Sequence, residues 1–459
     1  MANGTQTLHD HVPVLRGAAV KETVLRTRAW VILAAIALAA IAAWPFLGAQ
    51  RAGAAHVYVA PVLPDYQYRD RTVAFYEQRI KTDPQDQISA KLLGAQYMQR
   101  YRETQDVGDI LRAIAQEQRS LKLQPQNNSG AYEIAASGYT ALHLFRKALA
   151  YERAAHADMP IDSNAPAQMA SLEMEIGEYG AAARDLAIAR TIKNTATVMS
   201  VQARYDELTG HLAAGRRLLQ LGSQQTDQVA DNSAQGRAWY HFRLGELAFS
   251  SGDADEAKAE ERLALSQFPN LEQAYRALAR FCWATKDWQC ALDAASKGSN
   301  IIPEPETLGY EADAQRALGD AAGAKQTQEL IFAVERIGNA YHINDRLLAV
   351  YYAEHGVRLD DAYRIAQREV RSRGDEIYAQ DTLAWCAAMD GKWGVAERAA
   401  KRATRYDTQD PRIQFHAGMI ALHAGKRAEA RRRLEKALEL NSQFDPFYAD
   451  QARSVLRDI

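Results

Sequence analysis

Cysteine is scarce: 459 residues hold three, Cys282, Cys290 and Cys386. No pair has CxxC spacing and none is followed by a haem-type histidine, which excludes cysteine-rich zinc modules and a disulfide framework. Cys282 and Cys290 could meet across a helical hairpin; the plainer reading makes all three small core residues. An excess of charge is also lacking. Lys and Arg total 55 against 57 Asp and Glu, net −2, so the chain has no overall basic surplus of the kind nucleic-acid binders carry. The run Arg431-Arg432-Arg433 reads as a solvated helix face. GxxxxGK[ST], GxGxxG after a strand, GxSxG and HExxH are all missing. His9 and His11 in the N-terminal tail, and His342 and His355 further on, match no short metal-ligand spacing. The expectation is therefore no catalytic residue, no metal, no cofactor and no small-molecule substrate: the chain is not an enzyme.

Long uncharged runs are absent except for one. Ala29 to Leu47 carries no charged residue, and as a helix rising about 1.5 Å per residue it spans roughly 28 Å. Trp30 and Trp44 stand near its ends, where indole rings favour the interface, and Pro45 can end the helix. Arg16, Lys21, Arg26 and Arg28 precede it, whereas Arg51 is the only base close behind. The positive-inside bias places the N-terminus in the cytoplasm and the large C-terminal part across the membrane. A cleaved signal peptide ending near Ala52-Gly53-Ala54 is the competing reading; the long preceding stretch and the length of the run weigh against it.

What the remainder has in quantity is recurrence. Small residues repeat thirty-four positions apart: Ala136 and Ala170, Ala148 and Ala182, Ala155 and Ala189, Gly245 and Ala279, Ala257 and Ala291, Ala384 and Gly418, Ala396 and Ala430, Ala403 and Ala437. Such positions let two antiparallel helices approach and let the next pair stack. Gly177, Gly252, Gly391 and Gly425 suit left-handed caps after a first helix, and Pro160, Pro269 and Pro303 stop a second one. In the unit from Ser129, the residues Tyr132, Ala136, Tyr139, Ala148, Ala155 and Pro160 carry the pattern. Leu244-Gly245, Ala257, Ala264 and Pro269 carry it in the unit from Ala238, and Tyr275, Leu278-Ala279, Trp288, Ala291 and Pro303 in the unit from Glu272. The last unit, from Pro411, offers Ala417-Gly418, Gly425, Ala430, Leu434 and Ala437.

This pattern resembles the tetratricopeptide repeat family, in a membrane-anchored bacterial form. The resemblance implies an all-α, right-handed α-α superhelix (solenoid) of about ten helical hairpins, preceded by one transmembrane helix. Residues 1–28 are expected to form a cytoplasmic tail, 29–48 the membrane helix, 49–64 a spacer, 65–443 the solenoid and 444–459 a capping helix. The first unit carries an insertion around Arg102–Asp109, the units near Ala196 and Ile343 match weakly, and the stretch Gln220–Gly236 reads as a loop or a kinked longer helix.

The resemblance also implies a concave face built by the first helix of each unit. Its phase points Trp239, Phe242, Arg276, Arg280, Trp283, Arg316, Tyr351, Tyr378 and Trp385 into the groove, with Asp313 beside them. Arginine next to aromatic residues makes binding hot spots, and Arg276 and Arg280, on one helical face, could grip a peptide carboxylate. The function expected is a scaffold in the bacterial inner membrane, with an extracytoplasmic repeat domain binding a protein or extended peptide. The alternative is an accessory or carrier subunit of a membrane enzyme complex in envelope assembly, secretion, polysaccharide synthesis or cytochrome maturation.

Overall fold

The computed structural model describes residues 64–229, 232–338 and 345–459. The tail, the apolar run Ala29–Leu47 and nearly all of the spacer, with His9, His11 and His342, lie outside the described residues. Among the described residues no helix is long and apolar enough to cross a membrane.

A short 3-10 turn, Asp65–Tyr68, leads into α1, Arg69–Thr82. Ten hairpins follow. Their first helices are α2 (Gln87–Thr104), α4 (Ser129–Ala141), α6 (Asn164–Glu175), α8 (Ala196–Leu208), α10 (Ala234–Ser250), α12 (Glu272–Ala284), α14 (Pro305–Ala317), α16 (Asp345–Glu354), α18 (Ile377–Met389) and α20 (Pro411–His423). The second helices are α3 (Val107–Leu123), α5 (Phe145–Asp158), α7 (Tyr179–Ile192), α9 (Leu212–Asp227), α11 (Ala254–Gln267), α13 (Trp288–Ile301), α15 (Ala321–Gly338), α17 (Leu359–Arg373), α19 (Trp393–Ala403) and α21 (Arg427–Leu440), and α22 (Tyr448–Asp458) closes the stack.

The periodic small residues do what their spacing requires. Ala136, Ala148, Ala257, Ala264, Ala291, Ala396, Ala430 and Ala437 are fully buried, each where a larger side chain would hold two helices apart. Pro160, Pro269 and Pro303 each stand two residues beyond the last helical residue, as does Pro125 after α3. The extra length in the first unit is a longer helix: α2 runs to Thr104, with Gln105 in the left-handed region. Most of Gln220–Gly236 is likewise helical, since α9 continues to Asp227 and α10 begins at Ala234. The weakly matching units near Ala196 and Ile343 are ordinary hairpins.

One pairing left open by the sequence is settled. Cys282 at the end of α12 is bonded to Cys290 in α13, Cα–Cα 5.7 Å, so only Cys386 is a free, buried thiol.

First helices of neighbouring hairpins touch one another along one wall, and second helices have no comparable pairing, which curves the array toward its first helices. The curvature is tight enough to bring hairpins five or six places apart into contact. The Asn270 side chain donates to the Glu103 carbonyl at 3.4 Å. Arg373 pairs with Glu175, the Ile377 amide donates to the Tyr179 hydroxyl at 3.2 Å, and Asn441 donates to the Phe249 carbonyl at 2.7 Å. Residues 64–459 therefore form a coil whose successive turns lie on each other, with the first helices facing inward.

Candidate partner-binding cavity

Seven successive first helices, α8 to α20, line a partly open cavity of about 300 Å³. It is polar. Six arginines (Arg204, Arg243, Arg276, Arg280, Arg346, Arg412) and seven acidic residues (Glu207, Glu246, Glu306, Asp313, Glu354, Asp381, Asp410) line it. Many of these charges are paired, within a helix or between hairpins. Arg204 meets Glu207 at 2.8 Å, and Arg243 of the next unit shares that carboxylate. Arg280 reaches back to Glu246 at 2.8 Å, Arg276 forward to Glu304, and Arg412 to Glu354 at 3.1 Å.

Electrostatics follow from that pairing. Burial alone would lower the Arg276 pKa, but Glu304, Glu272 and Glu306 outweigh it and hold the guanidinium firmly charged. Burial pushes the Glu272 carboxyl up to about 7 against the opposing charge of Arg276. Arg280 lies 5.2 Å from the centroids of both Phe249 and Phe281, so its charge is supported by two rings as well as by Glu246. Trp283 donates its indole N–H to Asp313 at 3.1 Å, and the other oxygen of Asp313 accepts from Arg316 at 2.8 Å and faces His355 Nε2 at 3.3 Å.

Of the nine residues expected in the groove, Phe242, Arg276, Arg280, Trp283, Tyr351 and Tyr378 line the cavity. Three do not. Trp239 packs edge-on against Tyr240, in the core between α8 and α10. Arg316, on the last turn of α14, is half exposed and touches the site only through Asp313. Trp385 is buried behind the wall, its ring stacked on His416 at 4.2 Å, and His416 in turn bonds Asp381 at 3.1 Å. The arginine pair is also not free as expected: both guanidiniums already have carboxylates. Arg243, Glu246, Glu354, Asp381 and Arg412 were missed as cavity residues. Their signal is helical spacing, since Glu246, Glu354 and Asp381 stand three or four positions after Phe242, Tyr351 and Tyr378.

Fold and cavity define a class: an all-helical repeat array whose inner wall surrounds a charged, aromatic-lined space. No protein-family model matches the chain, and no curated protein matches it. Among solved structures it is similar to yeast Tom70, at 12 % identity over 85 % of this chain and 93 % of that one, TM-score 0.35. It is also similar to a tetratricopeptide repeat protein from Parabacteroides merdae, at 14 % identity over 57 % of this chain and 97 % of that one, TM-score 0.33. At these scores neither likeness carries an argument about function.

Proposed function

We propose that this chain is a membrane-tethered, non-enzymatic scaffold whose repeat array holds an extended segment of a partner protein against its inner wall. The observation that carries the reading is the cavity: aromatic rings and cross-hairpin Arg–carboxylate pairs converge on it from seven helices. A space of about 300 Å³ takes a few side chains of an extended segment and not a folded domain. The paired charges suit a partner that exchanges ion pairs with the wall. The uncharged run before the array supports the tether, and the Cys282–Cys290 bond supports an extracytoplasmic position, because such bonds persist in oxidising compartments.

The test is affinity capture from cells with Arg280→Ala and Trp283→Ala singly and Arg276→Ala/Arg280→Ala/Trp283→Ala together. Helix content and melting are checked in parallel, since removing Arg276 strands buried carboxylates. Loss of a specific partner from a variant that still folds supports the reading. Unchanged capture by the folded triple variant sinks it.

A further inference from the structure

We propose that the outer face of the first three hairpins, formed by α3, α5 and α7, docks on an anionic lipid surface; this rests on the tethered reading above. The face is set apart by charge. Seven bases are exposed on these three helices: Arg112, Lys122, Arg146, Lys147, Arg153, Arg184 and Arg190. Every acidic side chain within the same helices is buried or half-buried, the exposed acids beside them being the capping residues Asp106 and Glu178. The four second helices that follow, α9 to α15, expose five bases against four acids. On α17, α19 and α21 four exposed acids interleave with eight bases. A chain with a net charge of −2 therefore concentrates an excess of exposed positive charge on one end of its convex side.

Pairing neutralises only part of that face: Arg112 is held by Asp109 at 2.6 Å and by Asp106 at 3.3 Å, and the other bases are freer. Among the described residues Lys122, Arg184 and Arg190 have no carboxylate within ion-pairing distance, and Arg146 and Arg153 reach theirs only at 3.6 and 3.8 Å. Aliphatic side chains stand exposed among the bases: Leu111 on α3, Leu144 at the start of α5 and Ile188 on α7. Cations mixed with exposed aliphatics fit a lipid interface, where the bases meet headgroups and the aliphatics enter the acyl boundary. A nucleic acid would use the charge and leave the aliphatics in water. Position agrees. The apolar run ends at Leu47 and the first described helical turn begins at Asp65, so the sequence between them is at most about 60 Å of extended chain.

The experiment places the full chain in nanodiscs of phosphatidylcholine, with and without phosphatidylglycerol, and adds a lipid bearing a headgroup nitroxide quencher. A fluorophore is attached at Ala150→Cys, exposed on α5, or at Leu263→Cys, exposed on α11. Two native cysteines are bonded and the third is buried, so the label goes to the new thiol. Quenching at position 150 should rise about twofold or more with phosphatidylglycerol, fall with salt, and vanish in Lys147→Glu/Arg184→Glu/Arg190→Glu; position 263 should not respond. Equal quenching at both positions, indifference to lipid charge, or an unaffected charge-reversed variant overturns the proposal. A chain that does not enter the discs defeats the tether alone. Its outer face is then tested by pelleting with phosphatidylglycerol vesicles. Pelleting that charge reversal abolishes upholds the face, whereas a chain left in the supernatant, or one retained only by an RNA duplex, overturns it.

Discussion

Glu117 lies buried in α3 with neither carboxyl oxygen hydrogen-bonded by a described residue, and burial pushes its pKa up to about 9. Glu152 of α5 is raised to about 9 as well, by burial first and then by Glu133 and Asp162. Room for Glu117 exists because Gly94 faces it; a Cβ there would stand 1.9 Å from the carboxyl oxygen. Both groups keep their protons in the folded array near neutral pH, whereas the unfolded chain releases them above about 4.3. The stability they contribute is therefore fully present below the unfolded value and is lost as pH rises toward about 9. Thermal midpoints should fall between pH 5 and pH 9, and Glu117→Gln, which cannot ionise, should flatten that slope. At pH 7 the gain should be on the order of 3 kcal/mol, shrinking toward zero near pH 4.5; a parallel slope in the variant contradicts the assignment. Removal of Arg276 should act in the opposite sense, destabilising the fold by about 3 kcal/mol because Glu272 and Glu304 lose their cation, as read by denaturant melts. The sequence did not reveal these buried acids. Read as residue types, Glu117, Glu152 and Glu261 look like ordinary helix-surface charges; a glycine on the facing helix makes room for two of them, Gly94 for Glu117 and Gly245 for Glu261.

At the scale of the helix and its turns, glycine has two distinct uses. Gly177, Gly210 and Gly252 have positive φ after their first helices, and each also touches the next turn of the coil: a Cβ on Gly177 would lie 2.4 Å from the Asp375 backbone, and Gly210 and Gly252 face Asp407 and Leu440 in the same manner. Gly391 has φ 74° too, yet faces open space. Gly391→Ala should therefore cost about 1 kcal/mol, the left-handed strain alone. Gly177→Ala should cost clearly more, because it also wedges the turns apart; equal losses in chemical denaturation would remove the seam from the explanation. The disulfide closes a short loop across one hairpin turn, and Cys282→Ala/Cys290→Ala should lower stability by about 2 kcal/mol, measured against wild type under oxidising conditions. The left-handed caps at Gly177 and Gly391, the stops at Pro269 and Pro303 and the small-residue contacts were legible because each is local chemistry. The seam was not, since it joins Gly177 to Asp375, residues that no local pattern connects.

Across the whole molecule, the recurrence from Ala136 to Ala437 was enough to expect about ten hairpins with their first helices inward, and ten are present among the described residues. How far such a stack coils depends on a small rotation per hairpin, set by many weak contacts, and summed over five hairpins it decides between an open groove and turns that touch. Arg276 and Arg280, on the expected open face, are instead paired with Glu304 and Glu246 of the adjacent hairpins. Trp385, assigned to the same face, stands behind His416 of the next hairpin. The most direct test is photo-crosslinking in living cells from Phe242 and Tyr351 on the inner wall and from Leu263 on the outer one. A shared partner adduct from Phe242 and Tyr351, absent from Leu263, is the expected result. Adducts from Leu263 alone, with the two inner positions silent while a partner is bound, would contradict it.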